Sequence, residues 1–363
     1  MKTFRTSALC AVAAAAMATP AAVPQIPAFW QDMTTEIDSD GLWIESGFLT
    51  IRGRASAGAQ VAAFEALEGG TPTDGSDSDF SLRLTAEYEA ANGLLWGFRT
   101  ELDTGNVEIA DFERDEFYVY LASEWGRIEL GENDGPADSL FFHAPTTGLG
   151  QIRGDFARYT GSVALLSPYD SRDSLKITYL SAPIRNFRFG VSYSPEWESN
   201  GSDPDPRNQT RQNDVVEIGV QFVQPLGEWI WGVSAAAVKS DADPITQRED
   251  IDSWGVGTQL RRGDWTFGSA FVQRGQSNRR FGSDNEYEWN AGVYWRGDDW
   301  RVAGSYALTR DGSTDEHRFG VGGSYEITEN VYFRMDGVVT MDEREGRADR
   351  DGWAVISEIG FRF

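Results

Sequence analysis

A chain of 363 residues with a formal charge of −25 repels polyanions and should not seek nucleic acid or anionic lipid tails. Its single cysteine, Cys10, excludes a disulfide framework, and past the first twenty residues no run approaches the ~18 apolar residues that a membrane-crossing helix needs. A 13% aromatic share and 39 glycines turn attention from helices to strands and turns.

In chain order, residues 1–18 read as a targeting segment. Lys2 and Arg5 precede an apolar run from Ala8 to Met17, and Ala16-Met17-Ala18 offers a small-x-small cleavage site, so cleavage is expected between 18 and 22. Cys10 lies inside that run without a good lipobox, so no lipid anchor is read. Loss of Lys2 and Arg5 takes the charge from −25 to −27. Residues 19–47 carry Pro24 and Pro27 and no sustained alternation; they are expected to be a periplasmic lead-in, and no function is read for them.

From Phe48 onward the period is two. Leu49, Ile51, Ala55, Ala57, Ala59 and Val61 face one way, Thr50, Arg52, Arg54, Ser56 and Gln60 the other, which makes a strand with one greasy and one wet face. A second strand runs over Phe80–Glu89, and Asn92-Gly93 turns the chain tightly. The pattern repeats over Leu94–Asp103, Glu113–Ser123, Arg127–Gly131, Leu175–Ser181, Phe187–Ser194, Val215–Gln224, Trp229–Val238, Ser253–Arg261, Trp265–Arg274, Glu286–Arg296, Trp300–Thr309, His317–Tyr325, Val331–Thr340 and Trp353–Phe363. That predicts an all-β fold over 48–363, a transmembrane antiparallel 16-stranded β-barrel, and the even count lets both ends sit on one side.

Connections alternate in length: short ones such as Trp125-Gly126 and Gly297–Asp299 interleave with long polar ones such as Pro195–Asn213 and Lys239–Asp252. Trp96, Trp125, Trp229, Trp231, Trp265, Trp295 and Trp300 cluster beside the short turns, as residues of a membrane–water interface do. The longest break is 132–173, roughly forty residues with no clean period, and an insertion of that length inside a compact fold is usually functional.

Two stretches carry a family likeness. Gly131-Glu132-Asn133-Asp134-Gly135-Pro136-Ala137-Asp138 resembles the opening of the inward-folded third external loop of Gram-negative general-diffusion porins, and Asp173 to Tyr193 resembles the strand-turn-strand after it. The last strand, ending Phe361-Arg362-Phe363, resembles the one by which outer-membrane barrels are recognised by the barrel-assembly machinery. The resemblance implies a water-filled outer-membrane channel passing ions and small hydrophilic solutes, a homotrimer in contact with lipid and lipopolysaccharide, and 132–173 as a constriction loop. In this family basic residues on the wall face acidic residues on the third loop. Carried over, that gives Arg52, Arg54, Arg83, Arg99 and Lys176, with Arg188 nearby, as the basic wall. Glu132, Asp134, Asp138 and Asp155 become the acidic loop, with Asp170 and Asp173 as further candidates. Gly154-Asp155-Phe156-Ala157 stands where the family has a Pro-Glu-Phe-Gly type motif.

The chain offers two histidines, His143 and His317, and no nucleophile elbow or zinc spacing, so it is read as a non-enzyme with no cofactor. Its acidic loop clusters suit at most loosely bound Ca²⁺. Inward glycines at 97, 190, 219, 257, 268, 292 and 320 are read as marks of an open lumen, which tells against a filled structural or adhesin barrel. The alternative of a substrate-selective channel would show a ladder of inward aromatics, whereas Tyr118, Tyr120, Tyr294 and Tyr332 are scattered. From the charge of −27, cations are expected to be preferred.

Overall fold

The computed structural model describes residues 42–46, 49–66, 73–103, 113–153, 157–160, 164–199 and 210–363. Among them run seventeen strands: β1 Leu42–Ser46, β2 Leu49–Glu65, β3 Thr73–Glu89, β4 Leu95–Asp103, β5 Glu113–Ser123, β6 Gly126–Glu132, β7 Leu175–Ser181, β8 Phe187–Ser199, β9 Thr210–Leu226, β10 Trp229–Ala242, β11 Ile251–Arg262, β12 Trp265–Gly275, β13 Glu286–Arg296, β14 Trp300–Asp311, β15 Thr314–Thr328, β16 Val331–Arg344 and β17 Arg350–Arg362. From β2 to β17 each strand pairs antiparallel with the next, and β17 returns to β2 through Ser357↔Val61 and its neighbours, closing a sixteen-stranded barrel. Phe363 completes the closure, its N–H donating to the Ala55 carbonyl at 3.0 Å and its carbonyl accepting from Ala55 N–H at 2.8 Å.

The alternation inferred from sequence is the alternation of faces. On β9, Val216, Ile218 and Val220 are 38–50% exposed while Glu217 and Gln221 are buried between them. In a membrane barrel the exposed set faces acyl chains and the buried set faces inward. Strands run further than the alternation on the long-loop side: β8 continues to Ser199, β9 begins at Thr210, and β16 reaches Arg344. Beyond the bilayer a strand keeps its hydrogen-bond ladder but has no greasy face to maintain, so the period fades while the pairing persists. β1 is a strand the sequence did not announce. It pairs Leu42–Ser46 with Leu49–Gly53, the part of the β2 edge that β17 leaves uncovered, and an uncovered edge is a site of unwanted pairing.

The buried apolar clusters are not under the lipid belt. They form where the connection between β6 and β7 packs on inward wall residues: Ala137 and Phe141 against Val215, Val238, Ile251 and Val272; Leu149 and Tyr159 against Val338 and Ile356; Ile152, Ala164 and Leu166 against Ala307.

Candidate pore constriction

The connection 133–174 holds short helices at Pro136–Ser139 (α1) and Ala157–Thr160 (α2), too short to satisfy their own backbone, so its main-chain N–H groups need other acceptors. Inward side chains of the wall supply them. Glu217 on β9 accepts from Ala137 N–H at 3.3 Å and Ser171 N–H at 2.8 Å, one on each limb of the segment. Phe142 N–H donates to Ser234 Oγ at 2.7 Å, Ala144 N–H to Asn290 Oδ1 at 2.9 Å, Leu166 N–H to Glu288 Oε1 at 3.0 Å and Tyr169 N–H to Ser253 Oγ at 3.1 Å. Asp336 on β16 takes Leu149 N–H at 2.8 Å and Gln151 N–H at 3.0 Å. Such a bond adds about 1 kcal/mol when neutral and about 1.5–3 to a charged acceptor, so the ladder holds the segment firmly.

Close approach also needs space, and the wall glycines provide it. A Cβ on Gly219 would collide with Pro136, on Gly257 with Phe142, on Gly268 with His143 and on Gly320 with Gln151, while at Gly190 it would press on Pro136. The inward glycines thus make a track for the segment's backbone. They do not by themselves mark an open lumen, since they face the segment, except that Gly97 instead gives room to Tyr120.

Across from the segment stand arginines. Arg52 on β2 shares a level with Thr85 and Arg99, while Arg54 is the direct cross-strand partner of Arg83, a like-charge pairing that disfavours the sheet. Carboxylates behind them offset it: Glu101 lies 2.8 Å from Arg83 and 3.4 Å from Arg99, and Glu116 lies 3.0 Å from Arg99. Arg127 pairs with Glu129 at 2.6 Å and sits 3.8 Å over the Tyr120 ring. A cavity of about 640 Å³ lies between this wall and the segment. Its charged lining is Arg54, Arg83, Arg153, Arg301, Arg334 and Arg362 against Glu101 and Glu326, with Thr146 and Thr147 among the hydroxyls.

The residues expected at this site divide. Arg54 and Arg83 line the cavity, and with Arg52 and Arg99 they line a second basic hollow of about 190 Å³ beside Tyr118, Tyr120 and Arg127. Lys176 does not join them: it is 1% exposed, and its Nζ donates to the Asn133 and Arg172 carbonyls, tying the two limbs of the segment at their neck. Glu132 ends β6 directly opposite Phe117 and Leu175, both on the outward face, so it belongs to the wrong side of the sheet for an eyelet. Asp138 is bound by Arg153 at 3.0 Å. Desolvation inside the barrel, and then the Asp138, Asp173, Glu116 and Asp170 carboxylates, push Asp134 up to about 8, although its side chain is exposed. Burial, with Asp138 next, likewise raises Asp170 to about 6. Asp155 lies outside the described residues. Of the described segment carboxylates, Glu132 lies off the channel face and Asp138 is paired with Arg153, while Asp134, Asp170 and Asp173 are all raised from their ordinary range.

Arg301, Arg334 and Arg362 went unread in the sequence, though the period of two could have found them: each falls between outward residues, Trp300 and Val302, Phe333 and Met335, Phe361 and Phe363. Arg153 lies where no period exists. A sequence model of the Gram-negative porin family matches residues 6–346. The chain is a Gram-negative porin. Solved structures agree on the fold: an anion-selective porin from Comamonas acidovorans (15% identity, 87% of this chain and 100% of that one, TM-score 0.61), Salmonella typhi OmpF in complex with daunomycin (14%, 89% and 100%, 0.61), and Vibrio cholerae OmpT lacking loop L8 (11%, 87% and 100%, 0.57). Comparison with curated protein sequences returns no match. The porin is thus an outer-membrane β-barrel and a diffusion channel for small solutes.

Proposed function

We propose that this porin is an anion-preferring diffusion channel whose narrowest section lies between the segment 133–174 and the arginine wall. The observation that carries it is the lining of the 640 Å³ cavity, six arginines against two glutamates. Two charge effects compete: acidic external loops attract cations to the mouth, arginines attract anions at the narrows. Arg334 and the rim residue Asp342 are eight residues apart on β16, about 26 Å at 3.3 Å per residue, which exceeds two Debye lengths at physiological salt. The rim is therefore screened from the narrow section, and the local guanidiniums decide selectivity, against the expectation drawn from net charge. The similar Comamonas protein bears the description anion-selective, which supports the reading.

A sixteen-stranded barrel encloses a channel too wide to sort small solutes unless something partly fills it, and the segment 133–174 is the longest connection in the chain. The porin acts as a trimer, with the small outward side chains Ala55, Ala57 and Ala59 of β2 packed against a neighbour. Its family and fold are those of channels rather than enzymes, and its two histidines are engaged by neighbours: His143 Nε2 accepts from Arg153 at 3.2 Å, and His317 Nδ1 is bonded to the Tyr306 hydroxyl at 2.8 Å. The zero-current potential across a planar bilayer with a KCl gradient tests the selectivity. Its sign should report chloride as the more permeant ion; a potassium sign overturns the anion reading.

A further inference from the structure

The segment brings an arginine of its own, Arg153, to the lining of the cavity. Arg153 closes the short 3₁₀ turn Gln151–Arg153, which is fixed from behind by Asp336 through Leu149 N–H and Gln151 N–H. Its guanidinium is gripped twice. Nη2 donates to Asp138 Oδ1 at 3.0 Å, and Nη1 donates to His143 Nε2 at 3.2 Å. His143 Nδ1 lies 2.8 Å from the Ala144 carbonyl, so Nδ1 carries the proton and Nε2 is free to accept. A planar fork held by a carboxylate on one edge and an imidazole on another loses most of its rotational freedom and keeps its remaining N–H groups in one direction. Arg153 and His143 line the cavity together with Arg54, Arg83 and Arg334. Asp138 sits on α1, and its carboxylate is spent on this grip.

We infer that Arg153, clasped between Asp138 and His143, is the specificity-determining residue on the segment's side of the channel, and that Asp138 and His143 are positioning residues that act through it. This rests on the anion-preferring reading. A channel with a basic wall and an acidic loop places opposite charges across the stream and lets both ions pass along their own side. A channel with guanidiniums on both sides leaves a cation no such path, and an anion is attracted wherever it passes. Arg153 is one charge, but it is the charge that removes the alternative route.

Full-length protein in planar bilayers with a KCl gradient provides the test, with the folded state of each variant checked by its β-sheet circular dichroism. Arg153→Gln should lower the chloride-to-potassium permeability ratio several-fold, and Arg153→Glu should bring it to or below unity. Asp138→Asn separates the clasp from simple charge: removing a negative charge should by itself raise chloride preference, whereas losing the grip on Arg153 should lower it. We expect the ratio to fall. A wild type that prefers potassium overturns the anion reading and this inference with it. A wild type that prefers chloride while Arg153→Gln keeps the wild-type ratio overturns the role of Arg153 alone. A rise in Asp138→Asn overturns the clasp.

Discussion

Gly257→Ala asks whether the segment truly lies against β11. A Cβ at Gly257 would fall onto the Phe142 carbonyl oxygen and 2.8 Å from its carbon, and both are backbone, so no side-chain tip can swing away. Ordinary contact between heavy atoms is about 3.5–4.0 Å, so the Phe142 carbonyl must retreat by about 2 Å. Overpacking of this kind costs about 1–3 kcal/mol. Locally the segment is held by Phe142 N–H on Ser234 and Ala144 N–H on Asn290, together worth about 2 kcal/mol. β11, by contrast, is fixed by nine registered pairs to β12 and twelve to β10. The wall is the stiffer partner, so the segment moves, away from β11 and toward the channel axis. Single-channel conductance should drop measurably, with slower uptake of larger sugars into proteoliposomes. Ser234→Ala, which removes one bond without adding bulk, should change conductance far less. A folded Gly257→Ala protein with wild-type conductance would refute the packing of Phe142 on β11.

Three further outcomes follow from the same geometry. Asp336→Ala deprives Leu149 N–H and Gln151 N–H of their shared acceptor and should destabilise the segment by about 2–4 kcal/mol, seen as added open-channel current noise with little change in the barrel's thermal unfolding. Asp134, pushed up to about 8, is neutral below that pH and ionises above it, so chloride preference should decline as pH rises from 7 to 9. In Asp134→Asn that decline should be absent, and a wild-type titration flat across the range would contradict the raised value. In mild detergent, mass photometry should give a trimer, and replacing Ala57 by Trp on the outward face of β2 should yield monomers; monomeric wild type refutes the assembly.

Much of the barrel could be read from the chain because lipid imposes a rule on every crossing strand: Ile218 and Val220 must be greasy, Glu217 and Gln221 need not be. Where lipid is absent the rule lapses. β1, the outer reaches of β8 and β16, and the described parts of 133–174 are held by pairing or by distant side chains, which leave no local period. The glycines at 219, 257 and 268 were visible, but their partners lie between about 83 and 125 residues away in the chain, so their meaning was not. Glu132 was misplaced by its neighbourhood, since it sits next to loop acids, although the parity set by Leu130 already pointed it outward. Arg153 could not be read at all: its function depends on Asp138 and His143, fifteen and ten residues earlier, meeting through a fold that no spacing announces.

That the segment sets the narrowest point is tested most directly by the single-channel conductance of a protein shortened between Phe141 and Tyr159. The shortened porin should still insert as a barrel, because the sixteen-strand ladder does not pass through the segment. Its conductance and its sugar cut-off should both rise well above those of the intact protein. If the shortened protein assembles and both are unchanged, the segment does not narrow the channel and the account fails.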